Sequence, residues 1–228
     1  KVMIDANSKQ LFNIDKTGIL TISGVLIENA HNVDGGSVFI NNGKLNINDS
    51  VICNSSSYYD NSNPVFDHNV TYNRDGDMET GHTLDCSNTG RGGAILNNGE
   101  LSINSTVFYN NLGHWGGVIA DYGKTHINSS LFYDNEGVHG GVIYTDSKSN
   151  LAIENSIFNA NTALTSLDYC AIRLSTVMWS IVDGNHYKYY SECESPVGSG
   201  GVIYTKNTPV SIHDSSFSDN SAQKGGVI

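Results

Sequence analysis

Two neighbouring stretches of this chain repeat one another. ELSINSTVFYNNLGHWGGVIADYG, Glu100 to Gly123, runs directly into KTHINSSLFYDNEGVHGGVIYTDSKS, Lys124 to Ser149. Leu101 corresponds to Thr125, Ile103 to Ile127, Phe108 to Phe132, Asn111 to Asn135 and Gly116-Gly117 to Gly140-Gly141, each pair 24 residues apart. A fixed period of that size, filled with short β-type runs and turn residues, predicts stacked units that bury a continuous column only together. Each period is read as one coil of a parallel β-helix.

The template recurs along the chain. The strand that opens each coil reads LTI (Leu20–Ile22), LNI (Leu45–Ile47), LSI (Leu101–Ile103), THI (Thr125–Ile127), LAI (Leu151–Ile153) and VSI (Val210–Ile212). Seven residues on stands Ile27, Ile52, Phe108, Phe132, Phe158 or Phe217, and a glycine pair follows at Gly35, Gly92, Gly116, Gly140, Gly200 and Gly225. A looser copy spans Val2 to Ile14, which makes about seven coils. Alternation along a strand sends Leu101 and Ile103 to one face and Ser102 and Asn104 to the other. The Leu, Ile and Phe columns are therefore expected inside, with Ile95, Ile119, Ile143 and Ile203 as the inward member after each glycine pair. Asn111, Asn135, Asn161 and Asn220 fall at a turn, where stacked amides can satisfy one another and the bent backbone.

Two coils break the period. From Ile52 to Gly92 and from Phe158 to Gly200 the chain takes 40 and 42 residues where the template takes 8. Both insertions, about 53–86 and 162–195 of a single 1–228 β-helix domain, leave from the same edge. They leave three coils apart, or roughly 14 Å along the axis at the inter-strand spacing. Two walls are thus expected, with a floor between them from Leu112–Trp115 and Glu136–His139. Trp115 shares its column with Asp34, Arg91, His139, Ser199 and Lys224, so it is expected to face outward.

All four cysteines belong to the interrupted coils. Cys53 and Cys86 sit where the first insertion departs and returns, and Cys193 sits at the return of the second, which also holds Cys170. Of the three possible pairings, the one joining Cys53 to Cys193 places partners three coils apart, beyond disulfide reach. Local bridges Cys53–Cys86 and Cys170–Cys193 are expected, and with them an oxidising compartment.

The net charge of −11 and a pI near 4.9 disfavour nucleic acid and anionic lipid as partners. No run of about 18 apolar residues is present to span a bilayer. The chain opens without an initiator Met and carries no signal peptide. Processing that removed targeting and anchoring segments is consistent with this. A surface rich in Asn, Ser, Gly and Tyr, with 15% charged residues, suits an extracellular or cell-surface protein. Solenoid cores are scaffold, and the loops that interrupt them carry specificity. Tyr58, Tyr59, Phe66 and Tyr72 enrich the first insertion, and Tyr169, Trp179, Tyr187, Tyr189 and Tyr190 the second. Such rings either form a small core within each insertion or, with Trp115 and His139, a contact surface for glycan or protein.

Other chemistries are weaker. In NRDGDME, Asp75, Asp77 and Glu79 gather oxygen ligands, but the glycine and final glutamate of a calcium loop are out of place, so a solvated acidic turn is the rival. Polysaccharide cleavage needs a carboxylate pair. The outward columns of the two regular coils show no repeated Asp/Glu pair; Asp168, Asp183, Glu192 and Glu194 could form one, but nothing singles them out. No cofactor motif is present. Asn48, Asn54, Asn69, Asn104 and Asn128 begin N-x-S/T triplets, which mark either a glycan stripe or simply a repeat rich in Asn and Ser.

The recurring F-x-x-N and G-G-[AV]-I phrases, as in FYNN…GGVI and FSDN…GGVI, resemble the repeats of chlamydial polymorphic membrane proteins. With IDANSKQLFNI and NNGELSINSTVFYNN added, the chain looks still more like the adhesin-like proteins of methanogenic archaea. The resemblance covers nearly everything but the two insertions. It implies an all-β, right-handed parallel β-helix of pectin-lyase type and surface attachment, with this chain as the passenger part of a larger protein. Residue by residue it carries over only the Phe, Asn and glycine columns, as architecture. The leading expectation is an adhesin-like module that binds a glycan or a surface protein of another cell through the insertions and the floor. A fibre built by end-to-end coil stacking and a polysaccharide lyase or hydrolase are the alternatives.

Overall fold

The computed structural model describes residues 2–57, 68–74, 77–83, 90–146, 148–164, 178–182, 185–189 and 198–228. Among these the chain is all-β and winds as a parallel β-helix. Each complete coil contributes one strand to each of four parallel sheets. In the first uninterrupted coil these are Glu100–Asn104 (sheet one), Val107–Tyr109 (sheet two), Leu112–Trp115 (sheet three) and Ile119–Asp121 (sheet four). The next coil pairs with it strand for strand, through Lys124–Asn128, Leu131–Tyr133, Glu136–His139 and Ile143–Thr145. Sheet two holds seven strands, one for each coil.

The corners follow from local chemistry. Between sheets one and two the chain passes through a left-handed residue, with φ of 47° at Asp49 and Ser105, 49° at Ser129 and Asn155, and 47° at Asp214. A buried hydroxyl follows, and Thr106 shows its role. Its Oγ1 donates to the Asn104 carbonyl at 2.8 Å, and its N–H donates to Ser130 Oγ of the next coil at 3.2 Å. A second left-handed corner, at Asn54, Asn110, Asp134, Ala160 and Asp219, leads from sheet two to sheet three. Short polar residues dominate both corners because their side chains tolerate this conformation best after glycine.

The glycine pairs serve two purposes. Gly116 has φ of 74°, and a Cβ there would lie 1.9 Å from the Ile119 carbonyl oxygen. Gly117 has no such φ, but a Cβ would meet the Gly141 oxygen of the next coil at 2.1 Å. The first glycine permits the turn and the second permits the stacking.

Inside, Phe108, Phe132, Phe158 and Phe217 stack face to face at centroid distances of 5.0, 4.8 and 4.9 Å. The Leu and Ile columns of sheet one surround them, and Ile95, Ile119, Ile143 and Ile203 are fully buried, as expected. The residue before each of these is buried as well, since Ala94, Val118, Val142 and Val202 fill the bend between sheets three and four. The predicted asparagine column is a continuous ladder. Asn111 Nδ2 donates to Asn135 Oδ1, Asn135 Nδ2 to Asn161 Oδ1 and Asn161 Nδ2 to Asn220 Oδ1, each at 3.0 Å. Each amide also donates to a main-chain carbonyl of the preceding coil.

One alignment needs correction. Gly35, not Asp34, is bridged to Arg91, and the left-handed Gly36 takes the place of Gly92. Asp34 therefore lies outside the Trp115 column, because the early coil is one residue longer before its turn.

Candidate functional site

Sheet three carries both insertions. In the first interrupted coil Ser57 pairs with Gly113, and the chain returns at Gly90, whose N–H donates to the Val33 carbonyl, with Arg91 bridged to Trp115. In the second, Ala163 pairs with Gly137, and the chain returns at Gly198 with Ser199 bridged to His139. Leu112–Trp115 and Glu136–His139 thus lie between the two stems. Each insertion contains an antiparallel hairpin, His68–Arg74 with Asp77–Thr83 and Met178–Val182 with Asn185–Tyr189. Strands Asp77–Thr83 and Asn185–Tyr189 come against each other, so two excursions that leave three coils apart meet.

The floor is aromatic. Trp115 stacks on His139 with ring centroids 4.4 Å apart and planes 26° from parallel. Tyr144 meets the Trp115 ring edge-on at 5.0 Å and stacks on Tyr204 at 5.7 Å. His139 closes the circuit with Tyr204 at 5.1 Å, and His114 lies 5.3 Å from Trp115 and 5.8 Å from His139. At the rim, the Arg91 guanidinium sits over Tyr122 at 5.6 Å. These rings meet because sheets three and four join at the Gly116 and Gly140 turns, which bring the end of one strand beside the outward residues of the next. In the outward column of sheet four, Leu96, Ala120, Tyr144 and Tyr204 follow one another. The small residue beside Trp115 is Ala120, which is fully buried.

Trp115 lies in register with Arg91 and His139, in the column expected for it. It is half-buried, and its Nε1 and the His139 Nδ1 are buried without a hydrogen-bond partner. Burial, followed by the nearness of His139, pushes His114 down to about 4, and burial also lowers His139. Both imidazoles are therefore neutral at pH 7, as stacked aromatic surface rather than charge.

Of the other predicted contact residues, Trp179 lies in register with Lys188, Tyr187 with Ser180 and Tyr189 with Met178. Tyr58, Tyr59 and Tyr190 lie outside the described residues, as do Asp168, Asp183, Glu192 and Glu194. Cys53 is fully buried as a free thiol, pushed up by that burial. Cys86, Cys170 and Cys193 lie outside the described residues. In the acidic turn Asp75 does too, while Asp77 and Glu79 belong to a hairpin strand that begins opposite Arg74. Among the described residues no group of three or more His, Cys, Asp or Glu is placed to hold a metal ion.

The N-x-S/T triplets at Asn48, Asn104 and Asn128 have a structural origin in the coil. Their third residues, Ser50, Thr106 and Ser130, are the buried hydroxyls of the first corner. Glu154-Asn155-Ser156 and His213-Asp214-Ser215 keep that hydroxyl without a leading Asn. Asn104 Nδ2 also bonds to Asn48 Oδ1 at 3.2 Å, and Asn155 Nδ2 to Asn128 Oδ1 at 3.1 Å. Asn54 is exposed at the second corner, and Asn69 lies in the first hairpin.

Sequence reasoning missed His114, Tyr144 and Tyr204. The recurrence of GGVIY at Tyr144 and Tyr204 was the available signal. In comparisons with protein-family models, curated proteins and solved structures, nothing matches this chain.

Proposed function

We propose that this chain is the binding segment of an extracellular, adhesin-like surface protein, and that it engages a glycan or surface protein of another cell. The observation that carries this reading is the stacked shelf of half-buried Trp115, His139 and Tyr204 packed on the buried Tyr144, bracketed by the stems of two insertions whose hairpins meet. Large, rigid rings offer contact area at small entropic cost and stack well on the apolar faces of sugars or on partner side chains. A solenoid supplies the stiffness that holds such a shelf without the shelf having to fold on binding. The formal charge of −11 steers toward neutral or cationic targets and away from phosphate-rich ones. The resemblance to methanogen adhesin-like proteins and to chlamydial surface repeats points the same way.

A glycan-array and cell-binding screen of the whole chain, with Trp115→Ala and Tyr189→Ala beside it, tests the assignment. Binding that both variants retain in full places the contact surface elsewhere. Light scattering over a concentration series separates this function from end-to-end assembly, in which the chain elongates without ligand. Reducing-sugar and unsaturated-product assays on a polysaccharide panel test the enzymatic alternative.

A further inference from the structure

A second polar ladder runs through the core, at the end of sheet four. Asn41, Asn97, Asp121 and Thr145 are in register on successive coils, and all four are fully buried. Asn41 Nδ2 donates to Asn97 Oδ1 at 2.7 Å and to the Glu100 carbonyl of the next coil at 2.9 Å. Asn97 repeats the pattern, with Nδ2 donating to Asp121 Oδ1 at 2.7 Å and reaching Thr125 Oγ1 at 3.2 Å and the Lys124 carbonyl at 3.4 Å. Each rung thus accepts with one side-chain atom and donates with the other.

Asp121 interrupts the chemistry and keeps the geometry. Its Oδ1 does what an asparagine oxygen does, accepting from Asn97 Nδ2 and, at 3.2 Å, from the Gly123 N–H. Its Oδ2 stands where the other rungs carry an NH2 donor, and it is buried with no partner. The nearest titratable groups lie away from the core: Tyr122 directly after the strand and Asp146 after that of the next coil are partly exposed, Tyr144 pairs with Ala120 in the outward column, and Glu100 and Lys124 on the adjoining strands of sheet one are exposed. On the core side it meets the apolar columns.

We propose that Asp121 is held as a neutral carboxylic acid whose Oδ2–H takes the place of an asparagine NH2, a protonated rung that makes this coil sensitive to pH. An ionised carboxylate there would leave a charged oxygen buried without a hydrogen-bond partner, which a folded chain avoids by keeping the proton. Burial pushes the carboxyl up, against the hydrogen bonds from Asn97 and the Gly123 N–H, which favour the ionised form. Because the folded-state value lies above the unfolded one, the rung contributes fully below the unfolded carboxylate value of about 4 and loses its contribution as pH rises through the folded one. Asp121 lies between Ala120 and Tyr122, so the ladder connects directly to the floor of the candidate site.

Two measurements on the whole chain test this. In the wild type, the Asp121 carboxyl 13C shift should report the protonated acid at about pH 6, well above the ordinary range for aspartate. In Asp121→Asn, the unfolding equilibrium constant at about pH 8 should fall about tenfold or more, and the difference should close at about pH 4. A carboxylate shift at about pH 6, or an Asn variant no more stable than wild type at about pH 8, overturns the proposal.

Discussion

Asn135→Ala is expected to cost far more than the loss of an ordinary surface amide, and the structure allows the cost to be worked out. Asn135 is fully buried in mid-ladder and makes four side-chain hydrogen bonds. Its Oδ1 accepts from the Asn111 N–H at 3.1 Å and from Asn111 Nδ2 at 3.0 Å, while its Nδ2 donates to the Phe108 carbonyl at 3.1 Å and to Asn161 Oδ1 at 3.0 Å. Truncation leaves the Asn111 main-chain N–H without an acceptor. Asn111 Nδ2 keeps its bond to the Ile52 carbonyl, and Asn161 Oδ1 keeps the Asn135 N–H. One orphaned buried donor at about 1–3 kcal/mol and three lost bonds at about 1 kcal/mol each give a total of about 4–6 kcal/mol. Asn220→Ala, on the half-buried last rung, removes the bonds to one neighbouring rung and to the Phe158 carbonyl and should cost about half as much. Urea denaturation followed by circular dichroism reads the global cost. Because solenoids can open coil by coil, hydrogen exchange at the Asn111 amide reads the local one. Equal costs for the two variants, or a cost below about 1 kcal/mol for Asn135→Ala, would refute the ladder as a source of stability.

Phe132→Ala removes the ring stacked between Phe108 and Phe158 and should destabilise by about 3–5 kcal/mol in the same urea experiment. Gly116→Ala forces both a φ of 74° on alanine and a Cβ 1.9 Å from the Ile119 oxygen, so the Trp115 fluorescence of the folded shelf should be lost together with thermal cooperativity. His114 carries a pH signature opposite to that of Asp121. Its folded value of about 4 lies below the unfolded one near 6.5, so its contribution is complete above about pH 6.5 and is lost as pH falls toward about 4. His114→Leu should therefore flatten the acid limb of a stability–pH curve, while leaving the alkaline limb to Asp121.

Much of the architecture was legible because a solenoid writes its register into its sequence. Phe108, Phe132 and Phe158 recur at one place in the period, and only stacking explains such a repeat. The asparagine column was legible for the same reason, as was the common edge from which both insertions leave. The Gly35 alignment failed because a one-residue change in loop length leaves the glycine pair intact while sliding it past its neighbour. The Asn41–Asn97–Asp121–Thr145 ladder escaped notice because its residue types differ from coil to coil. What they share is a position, and identity-based matching does not detect that.

Period, coil count, inward Phe column, amide ladder and insertion points were set by the amino-acid sequence alone, since each depends on residues a fixed distance apart along the chain. The shelf was decided by the tertiary structure. Trp115, His139, Tyr144 and Tyr204 belong to two sheets and three coils, and they meet because a left-handed glycine turn folds the end of one sheet against the outward face of the next. The proton on Asp121 is of the same kind. An aspartate is an ordinary residue in a sequence, and only burial in the ladder, with its second oxygen left unpartnered, favours a proton there.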